Sequence, residues 1–321
     1  PWTIPLNLAI MVNPDLDYVE VQAGKEVWVV GKGLAEKVLT KAGFDDVTIL
    51  REFKGKELEG IKYIHPLAVE KFLPLDLQKN KRLFTVLLST EYVDASSGTG
   101  LVHCAPGCGP EDYEVGHLYH LPPFNCVNEE GFFEHFGQFN GWKAKTDDRK
   151  FIEAINACGA LLGKESYVHD YPHGERSHEP VIFRTTKQWF FKVEDLKEKM
   201  LKANESINWN PAAAKNGFNA WLENLRDNSI TKQRYWGTPV PIWQCSETGE
   251  YLVMGSIAEL EELSGKKIKN MHIPEIDLIM ISKDGKVYNR VPDVLDVLIY
   301  SGTASWNCLD FPKSIVLFEK F

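Results

Sequence analysis

The stretch "LAIMVNPDLDYVEVQAGKEVWVVGKG" constrains the fold more than any other part of the chain. Apolar and polar residues alternate along it, the period of a strand with one buried face, and Asn13-Pro14 interrupts the pattern as a turn would. It predicts a strand hairpin and a further strand. "RLFTVLLSTEYVD" and "TGLVHCA" predict two more strands, joined through Ser96-Ser97-Gly98. Between these regions "LAEKVLTKAGF" has helical spacing, with Gly43 suited to the C-terminal cap. The expected body is therefore α+β and mainly β, decorated by peripheral helices, and not a doubly wound sheet.

Further along, "DDRKFIEAINACGALL" predicts a helix ending near Gly159, and "EDLKEKMLKANE" and "AAAKNGFNAWLENLRD" predict two more. "YVHDYPHGERSHEPVIFRTTKQWFF" reads as a loop followed by a strand. From Ile230 the paired prolines of "ITKQRYWGTPVPIWQCSETGEYLVMG" and the short helix "SIAELEELSG" change the character of the chain. Boundaries are expected near Trp209 and near Arg290. "VPDVLDVLIYSGTASW" reads as a buried strand and its loop, which suggests part of something larger.

A chain of 321 residues can bury a sizeable core. No apolar run approaches the ~20 residues of a membrane span, and "PWTIPLNLAI" lacks the basic start of a signal peptide. A cytoplasmic protein with no membrane partner is expected. Six cysteines, at 104, 108, 126, 158, 245 and 308, are too sparse for a secreted disulfide framework and read as reduced thiols. A net charge of −9 argues against wholesale nonspecific binding of nucleic acid. "GKGLAEKVLTKAG" and "RSHEPVIFRTTKQ" could each supply a local basic patch or simply a solvated face.

The densest chemistry lies in "GTGLVHCAPGCGPEDYEVGHLYH", residues 98–120. A zinc site on Cys104, Cys108, His117 and His120 is disfavoured because the thiols flank Ala-Pro-Gly instead of a tight knuckle. His169 and His173 are four apart, but the intervening proline prevents the helix that would align them. Cys245 lacks the second thiol of a knuckle, since Thr248 stands there. A Cys104 nucleophile with His103 as base fails on strand alternation, which turns neighbours to opposite faces. A ligand pocket remains. Gly98, Thr99 and Gly100 permit close backbone approach, and Pro110 starts a helix that projects Asp112, a carboxylate suited to an ammonium group. From the residues alone, Asp112 reads first as a helix-capping or first-turn acid.

"PWTIPLNLAIMVNPDLDY", "GTGLVHCAPGCGPEDYEVG", "YPHGERS", "ITKQRYWGTPVPIW" and "VPDVLDVLIYSG" occur in the order seen in isoleucyl-tRNA synthetases. The chain resembles this class I family, and in particular its inserted editing (CP1) domain. Pro1-Trp2-Thr3 and the Val102-His103 pair look like the isoleucyl branch; valyl and leucyl relatives typically carry Arg-Pro-Glu/Asp-Thr and replace the histidine. The resemblance implies a β-barrel-like editing domain over 1–208. It implies a return to the class I catalytic α/β (Rossmann-type) fold over 209–321, with a small second insertion at about 241–290.

The implied activity is hydrolysis of the aminoacyl ester of valine mistakenly attached to the isoleucine tRNA. The parent enzyme attaches isoleucine with ATP. One methylene is worth only about 1–3 kcal/mol in an apolar pocket, a limit already established for this synthetase family, so a second pocket must destroy the error. The resemblance gives Asp112 the α-ammonium of the amino acid, His103 the shaping of the pocket, and Thr3 a hold on water or the terminal ribose. Trp2, Asn7, Gly98, Thr99 and Gly100 would bind substrate. Editing would need no metal or other cofactor, ATP and magnesium serving only the full-length synthetase. The implied partners are the valine-carrying tRNA and the remainder of the synthetase chain.

Neither His-x-Gly-His nor Lys-Met-Ser-Lys-Ser is present, so aminoacylation by this chain alone is not expected. Leu298, Ile299 and Tyr300 replace three family residues of the synthetic wall, and Gly174 and Ser177 stand where some relatives place zinc-binding cysteines. Neither departure touches Asp112. The reading from a different class is a catalytically silent tRNA-binding or docking fragment.

Overall fold

The computed structural model describes residues 1–44, 46–166, 168–309, 311–312 and 314–320. The chain divides into two compact units, Pro1–Thr186 and Lys187–Phe321.

In the first unit, Thr3 precedes a single 3₁₀ turn, Ile4–Leu6, which leads into β1, Ala9–Val12. β2 (Asp17–Ala23) and β3 (Glu26–Gly31) form the expected hairpin, followed by α1 (Ala35–Lys41) and β4 (Thr48–Lys54). β2 lies in the middle, hydrogen-bonded to β3 on one side and β4 on the other, both antiparallel. Val19, Val21 and Ala23 on alternate positions pack with Leu34, Val38 and Leu39 from the segment containing α1. After the short α2 (Leu75–Gln78) come β5 (Thr85–Leu88) and β6 (Leu101–Cys104). These two flank β1, parallel and antiparallel respectively.

Both three-stranded sheets are open, and no ring of hydrogen-bonded strands closes into a barrel among the described residues. Tyr18 joins them, its hydroxyl donating to Gly100 O at 2.6 Å while Gly31 N donates to Thr99 O at 2.8 Å. Gly100 permits this approach: its φ is +80°, and a Cβ there would lie 3.1 Å from Gly31 Cα. α3 (Pro110–Leu118) starts with proline at its first position, and α4 (Asp148–Ala157) is followed by Gly159 at φ +75°. Phe133, Phe136, Phe139 and Phe151 are each no more than 1% exposed and form an aromatic core with Leu6, Met11 and Leu87.

In the second unit β7 (Phe190–Phe191) precedes α5 (Lys197–Glu205) and α6 (Ala214–Glu223). These helices are linked through the buried Asn204, which donates to Asn219 and accepts from the Trp209 indole. The 208/209 division expected above falls between them. β8 (Asn228–Ser229) pairs with β7, and β9 (Thr231–Lys232) follows. β10 (Ile242–Gln244), β11 (Tyr251–Val253), β12 (Ile281–Lys283) and β13 (Lys286–Arg290) then form a sheet in the order β11-β10-β13-β12; α7 (Ile257–Ser264), between β11 and β12 in the chain, contributes Leu260 to a core with Trp243 and Ile276. β14 (Val294–Leu295) pairs with β9.

Two expectations need correction. Helix and strand are mixed in both units, so the chain is not mainly β; turns such as Asn13-Pro14 cut the alternating segments into short strands. "DVLIYSG" is not a strand with its loop: the strand stops at Leu295, and α8 (Val297–Gly302) follows because the Asp296 side chain accepts the Leu298 N–H at 2.8 Å.

Candidate functional site

The register of β6 against β1 places His103 opposite Ile10 and Cys104 opposite Ala9. One step beyond the ladder, Leu8 N donates to Cys104 O at 2.9 Å. That bond brings the 3₁₀ turn and its flanks alongside His103. Thr3 Oγ1 then lies 3.1 Å from His103 Nε2, and Asn7 Nδ2 lies 3.2 Å from His103 Nδ1. Both ring nitrogens are thus engaged by residues of a single tight turn. Burial drives the His103 pKa down to about 4, so the ring is neutral at pH 7.

A second segment supports this turn from behind. Tyr63 N donates to Phe84 O, which seats residues 61–67 against the first unit's core. From there the Tyr63 hydroxyl donates to Asn7 Oδ1, and His65 Nε2 lies 3.0 Å from Ile4 O. His65 Nδ1 accepts from Leu67 N at 3.1 Å, and burial lowers its pKa as well. Sequence reasoning missed Tyr63 and His65. "IKYIHPLAV" has no period that singles them out; the signal available was only two polar aromatics within an apolar run.

Asp112 stands on the first turn of α3, where the helix dipole favours a carboxylate. Burial nevertheless raises its pKa to about 6, opposed by the Ala105 amide and reinforced by Glu111. Its Oδ2 rests against Gly109, where a Cβ would fall 2.8 Å away. Gly109, Cys108 and Glu111 share a cavity of about 640 Å³ with Trp2 and Thr3, a volume that suits a small ligand. The far wall carries Lys145, whose Nζ lies 3.0 Å from the Tyr171 ring centre, and Asp148, whose Oδ1 is buried without a hydrogen-bond partner. His169 and His173 also line it. Trp2 is 7% exposed and meets Phe133 edge to face, so the aromatic core holds this wall.

The structure therefore brings Thr3, Asn7 and His103 together, with Trp2 next to Thr3 in the cavity wall; Asp112 meets Gly109, which lines the same cavity. It does not bring Gly98, Thr99 and Gly100 to this group. They sit at the opposite end of β6, where their contacts are with Gly31 and Tyr18. Cys104 and Cys108 are buried, and burial pushes both thiols up, so neither is poised as a thiolate nucleophile. Among the described residues no group of three or more His, Cys, Asp or Glu side chains is arranged to hold a metal ion, and no helix is long and apolar enough to cross a membrane.

Comparison with known proteins supplies the family. The model of "tRNA synthetases class I (I, L, M and V)" matches residues 3–320. The chain belongs to this family. The isoleucine--tRNA ligase of Pyrococcus furiosus is 39% identical over all of the chain and 33% of its own length. That of Methanocaldococcus jannaschii is 39% identical over 95% of the chain and 31% of its own length. The resemblance to isoleucyl-tRNA synthetases thus holds along the sequence, and the chain spans about a third of the length of the curated relatives it matches. Among solved structures, one described as the crystal structure of GlLeuRS-CP1 aligns with 51% of this chain and 81% of that one, at a TM-score of 0.38 and 14% identity.

Proposed function

We propose that the first unit carries the editing site of an isoleucyl-type synthetase and hydrolyses the ester linking valine to the isoleucine tRNA. The observation that carries this reading is one cavity lined by Trp2, Thr3 and residues 108–111, in which Thr3 is hydrogen-bonded to His103, His103 in turn to Asn7, and Gly109 seats the Asp112 carboxylate.

In this reading the Asp112 carboxylate receives the α-ammonium of the mischarged amino acid and fixes the ester's orientation. Trp2 and His103 set the pocket's size, so that the extra methylene of isoleucine meets a wall. Such exclusion suits an aromatic backed by packed rings, which yields little. A water attacks the ester carbonyl within the cavity. Holding ester and water in one geometry supplies most of the acceleration, together with hydrogen-bond donors placed where negative charge develops. No covalent enzyme intermediate and no cofactor enters the scheme. Aminoacylation with ATP and magnesium, binding of the tRNA body and a cytoplasmic setting belong in this proposal to the whole synthetase, of which this chain is a part.

The test is single-turnover deacylation of valyl- and isoleucyl-tRNA by this chain, with Asp112→Ala as the variant. The expected result is release of valine well above the uncatalysed rate, little release of isoleucine, and loss of the activity in Asp112→Ala. Binding of the tRNA without release would assign the chain to docking instead.

A further inference from the structure

We infer that Tyr63, Asn7, His103 and Thr3 form a one-way chain of hydrogen-bond donation whose last hydrogen, on the Thr3 hydroxyl, is offered to the cavity. Thr3 then binds an acceptor oxygen of the ligand and does not act as a base towards water. The direction of the chain stands on geometry alone; only the identity of the acceptor, an ester carbonyl oxygen, rests on the proposed function.

The direction is set at Asn7. Its Nδ2 lies 2.7 Å from Ala9 O and 3.5 Å from Cys104 O, and backbone carbonyls only accept. The amide nitrogen must face them, which leaves Oδ1 to accept from the Tyr63 hydroxyl. The same nitrogen reaches His103 Nδ1 at 3.2 Å. A hydrogen on Nδ1 would set donor against donor, so Nδ1 presents its lone pair and the neutral ring carries its hydrogen on Nε2. Nε2–H donates to Thr3 Oγ1 at 3.1 Å. Thr3 Oγ1 has now accepted, and its own hydrogen is free to point where the residue is exposed, into the cavity it lines. Each link polarises the next, which strengthens the terminal donor. His65 steadies the turn that carries Thr3.

The chemistry follows. As a water oxygen bonds to the ester carbon, the carbonyl oxygen takes up the electron pair of the C=O bond and accepts from the Thr3 hydroxyl. When the bond to the ribose oxygen breaks, that pair reforms the carbonyl, and the proton released by the attacking water ends on the ribose oxygen. The products are a free amino acid and an alcohol. In this scheme His103 keeps its proton throughout and is a positioning residue, as are Asn7 and Tyr63.

The tautomer is read directly from the ring nitrogen shifts of the ¹⁵N-histidine-labelled chain at pH 7, with His103 assigned through His103→Gln. The expected signature is Nδ1 without hydrogen and Nε2 with it; the opposite tautomer overturns the inference. In Asn7→Asp the new side chain can only accept, and His103 is expected to carry a hydrogen on Nδ1. An unchanged tautomer in that variant, if folded, overturns the role of Asn7. On valyl-tRNA, Thr3→Ser is expected to retain hydrolysis, while Thr3→Val lowers kcat by about 10²–10³-fold with KM nearly unchanged. The expected tautomer in a wild-type chain that hydrolyses nothing would remove the proposed function and leave the donor chain standing. The opposite tautomer in an active chain would do the reverse.

Discussion

Gly109 and Asp112 occupy one another's space: a Cβ at position 109 would lie 2.8 Å from Asp112 Oδ2. Gly109 has φ −150°, an extended backbone that any residue adopts, so alanine there strains no dihedral. The obstacle is the carboxylate alone, and a side-chain end can swing away. Gly109→Ala is expected to fold with a Tm close to that of the wild type and to lose at least tenfold in kcat/KM for valyl-ester hydrolysis. A variant with full activity would show that the carboxylate's seat is immaterial.

Under the proposed function, the charge on Asp112 is expected to set a pH limb. Its carboxyl, raised to about 6 by burial, faces the Ala105 amide, which favours the anion, and Glu111, which opposes it; the neighbouring Cys104 and Cys108 thiols are neutral. If the anion grips an ammonium, kcat/KM for the free protein rises with pH and levels off above about 6. Asp112→Glu should move the limb, and Asp112→Asn should abolish activity on both sides of it. A flat profile from pH 5 to 8 in the wild type contradicts the ammonium assignment.

Much of this arrangement is legible in the sequence. Pro110 followed by two acids marks the start of a helix, and the alternation of β6 separates His103 from Cys104, so residue order alone weakens the metal and thiol readings. Sequence proximity misleads at Gly98–Gly100: three residues of strand rise about 10 Å, which carries Gly100 from the site to the neighbouring sheet. Tyr63, His65, Lys145 and Tyr171 are not legible, because tertiary pairing brings them to the site. Open sheets in place of a closed barrel also depend on long-range pairing that alternation cannot specify.

His103 makes the first unit sensitive to acid. Its pKa falls from about 6.5 in an unfolded chain to about 4 in the folded one, chiefly through burial, with His65 adding to the shift. Between these values the unfolded state binds more protons, so this contribution to stability is full above 6.5 and is lost as pH falls through 4. Asp112 works in the opposite sense: its raised pKa makes the folded state the better proton binder between the usual carboxylate value and about 6. The two are separated by variants. Urea unfolding at pH 7 and pH 4 should show wild type losing more stability than His103→Gln, and Asp112→Asn losing more than wild type. Parallel losses in all three would mean that neither burial is felt.

Phe133 links the aromatic core to Trp2 in the cavity wall, so its truncation tests stability and the proposed selectivity together. It is 1% exposed, with Phe151, Phe136 and Phe139 at ring separations of 5.2, 6.3 and 6.4 Å and the Trp2 ring edge-on at 6.5 Å. Truncation to alanine leaves a cavity at the centre of this cluster and is expected to cost about 3–5 kcal/mol. Phe133→Leu refills most of the volume, should cost less, and yields a chain that can be assayed. Trp2 then rests on a softer backing, so under the proposed function the wall assigned to exclude isoleucine is expected to give way. The measurement is the ratio of valyl- to isoleucyl-tRNA deacylation, which should fall severalfold in Phe133→Leu with valine release nearly unchanged. An unaltered ratio would place the limit on substrate size elsewhere in the cavity, away from Trp2.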